Sequence, residues 1–211
     1  KEGLKKVYLI EFGVASGAGL FNMCFIAKKL SKYYKIDYQV VGFDTGEGMP
    51  KAIDYRDHPE KYRQGDFAPI QKLDNLPEKS RIYYGDVGAE VEKFAMDIET
   101  DGAAVGFVSI DVDYYSSTLK CFKLFENSGI NFLSSTPIYL DDVNNIDHNE
   151  FCGELLAVKE FNESEQLNRK LTKINQLANW RIFKNALWLD QMYFMHSFNH
   201  KNRMVETHEG K

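Results

Sequence analysis

The chain has 211 residues, 44% of them hydrophobic and 27% charged, which suits one soluble domain with an elaborated loop and excludes disordered and fibrous classes. Twenty-six basic against 31 acidic side chains give a net charge of −5, with no Lys/Arg run longer than a pair, so sequence-independent nucleic-acid binding is disfavoured. No apolar stretch reaches the roughly 18 residues of a membrane helix, and Cys24, Cys121 and Cys152 lie far apart without metal-ligand spacing, so a reduced, cytoplasmic chain with no membrane partner is expected.

The chain opens without a methionine or a signal-peptide pattern and runs almost at once into strand-like sequence, so a further N-terminal segment is expected, with any lid it carries. Val7–Glu11 is a short apolar run that ends in glycines at 13, 17 and 19, the pattern of a buried strand and a tight turn. Leu20, Met23, Cys24, Ala27, Leu30 and Tyr34 then recur at three- and four-residue spacing and predict a helix. Tyr38–Phe43 is a second strand, stopped by Asp44 and the glycines and proline up to Pro50. Residues 51–80 hold many charges and prolines but few periodic apolar positions, which predicts an irregular, lid-like excursion with one helical turn.

Strand character returns at Arg81–Tyr84, followed by Gly85-Asp86 and a helix from Ala89 to about Ile98. Phe107–Asp111 is the next strand, with Ser116–Thr118 capping a helix that Asn127-Ser-Gly129 stops. Pro137–Leu140 runs into Asp141-Asp142; Asp147 and Glu150 have capping-box spacing before a helix whose face holds Phe151, Leu155, Val158 and Phe161. A helical or irregular piece over Glu165–Ala178 and two strands, Trp180–Trp188 and Met192–Phe198, complete the expected order. Alternating strands and helices predict a single α/β domain over residues 1–211, with a doubly wound, mainly parallel sheet.

In such a sheet the ligand lies at the carboxyl ends of the strands. Each predicted parallel strand ends in an acid: Glu11, Asp44, Asp86, Asp111 with Asp113, and Asp141-Asp142. One such acid is ordinarily a helix cap or a solvated loop residue; five at one edge point to a ligand site. The glycine turn lets a ligand approach the following helix N-terminus, and Asp44 is placed to accept from ribose hydroxyls, so a nucleoside cofactor of either the nicotinamide or the S-adenosylmethionine type is expected. Asp111, Asp141 and Asp142 offer three oxygen ligands without thiol or imidazole, which suits Mg²⁺. Asp113 is the candidate general base, and His148 the reserve.

Glu11–Gly17, Gly42–Pro50, the Asp111-Val-Asp113-Tyr-Tyr-Ser-Ser-Thr118 segment, Tyr139-Leu-Asp-Asp-Val143 and the tail Gln191–Phe198 together resemble the macrocin O-methyltransferase family. The resemblance implies a class I methyltransferase fold and a cation-dependent transfer of a methyl group from S-adenosylmethionine to a sugar hydroxyl of a glycan or glycosylated metabolite. It implies Mg²⁺ on Asp111, Asp141 and Asp142, Asp113 as base, Asp44 on the ribose, Gly13 and Gly17 beside the methionine part and Asp86 beside the adenine. Glu11 and Asp111 complete the expected cofactor-binding set. Ala15 stands where the common methyltransferase loop has glycine, and Tyr114 where catechol-type relatives place a lysine base. A catechol-like O-methyltransferase and a non-catalytic cofactor- or glycan-binding protein of the same fold are the alternatives, a nicotinamide oxidoreductase the more distant one. Homo-oligomerisation is compatible with the sequence.

Overall fold

The computed structural model describes residues 3–204, so the two ends of the expected 1–211 unit lie outside the described residues. Seven strands, β1 (Lys6–Phe12), β2 (Asp37–Asp44), β3 (Ser80–Tyr84), β4 (Ala103–Ile110), β5 (Ser135–Leu140), β6 (Arg169–Lys173) and β7 (Met192–Ser197), form one sheet. Their order is β3-β2-β1-β4-β5-β7-β6. The first five are parallel, and β7 runs antiparallel between β5 and β6.

Period-two alternation divides the core. Tyr8, Ile10 and Phe12 of β1 join Val41, Phe43, Val105, Val108, Ile138 and Met195 in the larger cluster, under α2 (Val87–Asp97), α3 (Tyr115–Glu126) and α4 (Gly153–Glu163). Val7 and Leu9 point to the other face and pack in a smaller cluster with Leu20, Cys24 and Ala27 of α1 (Ala18–Tyr34). Leu30 and Tyr34, expected on the same stripe, are 50% and 63% exposed. That cluster offers no apolar partner to the last two turns of α1.

Other departures have local causes. Trp180–Trp188 is not a strand but part of the 174–191 connection, with short 3-10 turns at Leu177–Trp180 and Leu187–Asp190. The strand is instead Arg169–Lys173, within the piece expected to be helical or irregular; only its Leu171 is buried, and pairing with β7 outweighs its polar composition. α3 starts at Tyr115 without a side-chain cap from its own chain neighbourhood. Asp57, from the 3-10 turn Tyr55–Asp57, accepts from the Ser116 amide and hydroxyl at 2.8 Å each, so the 51–79 excursion caps this helix across the fold. α4 begins at Gly153, beyond the supposed capping box at Asp147 and Glu150, and Phe151 is exposed. Among the described residues no helix is long and apolar enough to cross a membrane.

Candidate functional site

The parallel strands end at one edge and lace their turns together there. The Gly13 amide donates to the Phe43 carbonyl at 3.0 Å, and the Asp111 amide to the Phe12 carbonyl at 3.0 Å. Gly13 has φ +82°, and a Cβ there would lie 1.8 Å from the Asp111 carbonyl oxygen, so the turn after β1 fits against the end of β4 only without a side chain. Asp44 fixes the same turn from β2: its Oδ2 accepts from the Val14 and Ala15 amides at 2.8 Å each, and its Oδ1 from the Gly46 amide at 2.6 Å. Ala15 takes φ +44° in this turn, a left-handed conformation that glycine would adopt without strain.

A cavity of about 340 Å³ opens beside this turn, within the size range of small-ligand sites; Gly13, Ala15 and Asp44 border it, Phe43, Met49, Phe67 and Val87 give it an apolar side, and Asp111, Asp113, Asp141 and Asp142 its acidic end. The other expected cofactor residues are placed differently. Gly17 begins α1 at φ +86° and packs against Leu73 and Phe21. Glu11 is buried behind the turn, against Gly19. Its Oε2 has no hydrogen-bond partner, and burial, reinforced by Asp111 and Asp44, pushes its carboxyl up to about 8. Asp86 caps α2 through the Ala89 amide at 3.3 Å and pairs with Lys120. Neither Gly17, Glu11 nor Asp86 lines the cavity.

At the acidic end the structure gathers Asp111, Asp113 and Asp142, with ligand atoms all within 4.8 Å of one another. Asp113 turns back at φ +57°, and its amide donates to Asp142 Oδ2 at 3.0 Å. Asn145 Nδ2 donates to Asp142 Oδ1 at 2.7 Å, and the Asp142 amide donates to Glu154 Oε2 at 3.0 Å. Burial, with Asp113, Asp111 and Asp141 nearby, pushes the Asp142 carboxyl up to about 8; burial, with Asp141 and Asp113, pushes Asp111 up to about 7. Burial also raises Asp113, opposed by the Tyr62 hydroxyl and Lys61. Raised by burial and by neighbouring carboxylates, these three acids are a set that a hard divalent cation would neutralise, and their all-oxygen chemistry fits one.

Asp141, expected among the metal ligands, lies on the cavity wall outside this group of three. Its Oδ1 accepts from the Tyr139 hydroxyl at 2.5 Å, and Gln191 Nε2 donates to its carbonyl and carboxyl oxygens. His148 does not face the cavity. The loop before α4 turns it against His58, at 4.7 Å between nearly parallel rings, and burial followed by His58 and Lys61 pushes it down to about 4. Tyr62 and Glu154 reach the acidic cluster without having been singled out in the sequence. Tyr62 lies in the irregular excursion, and Glu154 in the first turn of α4; no spacing in the sequence links either to an aspartate so distant in the chain.

No protein-family model matches the sequence, and neither does any curated protein. Among the solved structures similar in fold are two O-methyltransferases. One is the apo structure of CalS11, a TDP-rhamnose 3′-O-methyltransferase of calicheamicin biosynthesis, with a TM-score of 0.51 and 17% identity over 90% of this chain and 71% of that one. The other is the O-methyltransferase NovP, with a TM-score of 0.56 and 16% identity over 90% of this chain and 72% of that one. At such identities the likeness is one of fold. Together with the strand order and the antiparallel β7, it gives this chain the class I methyltransferase fold.

Proposed function

We propose that this chain is an S-adenosylmethionine-dependent O-methyltransferase that uses a divalent cation, Mg²⁺ by its chemistry, to methylate a sugar hydroxyl of a glycan or glycosylated metabolite. The observation that carries this reading is one cavity that runs from the Gly13/Asp44 turn to the converging carboxylates Asp111, Asp113 and Asp142. Both fold relatives bear O-methyltransferase names, one of them for a nucleotide sugar, which supports the reading.

When bound, the cofactor supplies a methyl group on a sulfonium and the cation a Lewis acid for the acceptor hydroxyl. Asp111 and Asp142 belong both to the set suggested by the sequence and to the one the structure gathers, and they would hold the cation, with Asp141 completing the ligands. Asp113 shares the cavity and would take the hydroxyl proton. The turn held by Asp44 would orient the cofactor, and Phe43, Met49, Phe67 and Val87 would keep water from the line of transfer, so that the chain contributes chiefly alignment and a proton acceptor.

The rim supports an acceptor with an apolar part. The 174–191 connection exposes Trp180, Phe183 and Leu187 by 81%, 79% and 78%. It is tied to the acidic end by Asn144 Nδ2, which donates to the Leu187 carbonyl at 3.1 Å, and by Gln191 on Asp141. Clustered exposed apolar side chains mark binding surfaces. Calorimetry with S-adenosylhomocysteine and Mg²⁺, followed by methyl transfer to glycosylated acceptors, tests the proposal. Absence of S-adenosylhomocysteine binding would overturn it.

A further inference from the structure

Glu154 sits in the first turn of α4 and is fully buried. Its Oε2 accepts the Asp142 amide at 3.0 Å, and its Oε1 has no partner. A carboxyl group so enclosed is costly, and an apolar side chain of similar length would fill the same space without that cost. It would, however, leave the Asp142 amide without an acceptor. Asp142 opens the 3-10 turn Asp142–Asn144, so its own amide has no partner within that turn.

The hydrogen bonds continue outward. Asp142 Oδ2 accepts the Asp113 amide, and Asp142 Oδ1 accepts Asn145 Nδ2. A path of two hydrogen bonds therefore links a buried helix residue to Asp142 and then to the loop that carries Asp113. We infer that Glu154 is a positioning residue of the acidic site: by holding the Asp142 backbone from beneath, it aims the Asp142 carboxylate at Asp111 and keeps the Asp113 loop closed on it. The inference rests on the proposed cation-dependent reading of the site. Glu154 itself lies behind Asp142 and does not line the cavity.

The test compares wild type, Glu154→Gln and Glu154→Leu by Mn²⁺ titration, S-adenosylhomocysteine binding and hydrogen exchange at the Asp142 amide. Gln keeps an oxygen acceptor, so its Mn²⁺ affinity should stay within about threefold of wild type, whereas Leu should lower it by about tenfold or more, the scale of lost outer-shell support in metal sites. S-adenosylhomocysteine affinity should be alike in all three. The Asp142 amide should exchange slowly in wild type and the Gln variant and fast in the Leu variant. Equal Mn²⁺ affinity in Leu and wild type, or equal losses in Gln and Leu, would overturn the inference. Wild-type protein that binds no Mn²⁺ overturns the cation reading instead. The exchange measurement then still decides the role of Glu154, as it does if the Leu variant fails to fold, because an unprotected Asp142 amide in wild type contradicts it.

Discussion

Replacing Glu11 by Gln should make the protein more stable at pH 8 and leave it nearly unchanged at pH 4.5. Glu11 is 7% exposed, one of its oxygens has no partner, and its carboxyl is raised from 4.5 to about 8 by burial and by Asp111 and Asp44. The folded chain thus keeps a proton that the unfolded chain releases above pH 4.5. Stability is fully present below that pH and is lost as pH rises toward 8, at about 1.4 kcal/mol per pH unit for one proton. Over that window the loss would reach roughly 5 kcal/mol for an isolated group; because the neighbouring Asp111 carboxyl is itself raised into the same range, about 3 kcal/mol is the expected difference. Gln has the same shape and no charge to desolvate, so it should remove this slope. Urea unfolding of both proteins at half-unit intervals from pH 4.5 to 8 measures it. Parallel stability curves for wild type and Glu11→Gln would show that Glu11 is ionised in the fold and would refute the reasoning.

Asp44→Ala removes the acceptor of three turn amides and should weaken S-adenosylhomocysteine binding by roughly 1.5–3 kcal/mol, read by calorimetry, with Mn²⁺ affinity retained. On the proposed reading, Asp113→Asn should lower the turnover number by about a hundredfold while both ligands still bind, and chelation of the wild-type protein should abolish transfer; full activity after chelation would make the acids structural. His148 has a depressed folded value of about 4, so the unfolded chain takes up its proton first and stability is lost as pH falls from 6.5 toward 4. His148→Phe should remove about 2–3 kcal/mol of that acid sensitivity, and an unchanged acid limb in thermal unfolding would contradict the burial argument.

The legible part of the fold was the part in which local pattern and tertiary role coincide. β1, β2 and β5 are buried on both faces or alternate cleanly, so their apolar runs mark them, and the acids closing them lie at one edge because parallel strands share a direction. Trp180–Trp188 misled because its large apolar side chains are exposed on a rim, whereas Arg169–Lys173 hides a strand under polar residues. There, Lys170 Nζ donates to the Asn162 and Ser164 carbonyls, and Arg169 to carbonyls at the end of α3. Hydrogen bonds of that kind depend on where distant backbone happens to pass. The same holds at the site. Strand-end position puts Asp44 and Asp111 on the cavity wall, but no spacing reveals that Asp86 is occupied with capping α2 and pairing with Lys120, or that His148 stacks on His58.

The acidic floor also bears on why the fold is arranged so asymmetrically around it. Asp111, Asp142 and Glu11 are raised by burial and by other carboxylates, so as pH rises through their shifted values the fold alone becomes less stable. A cation bound by Asp111 and Asp142 would reverse that trend, because ligand binding to the native state requires the deprotonated carboxylates and stabilises the fold that presents them. The scaffold accordingly supports these acids from elements whose own stability lies elsewhere. The Asp44 carboxylate is held by amides of the first turn, the Asp142 amide by α4, and the start of α3 by Asp57 from the excursion. The aspartates can therefore converge in an otherwise unfavourable cluster because none of the strands beneath depends on them for its packing: Phe12, Phe43, Ile110 and Leu140, one residue back from each turn or at the strand end itself, are fully buried in the core.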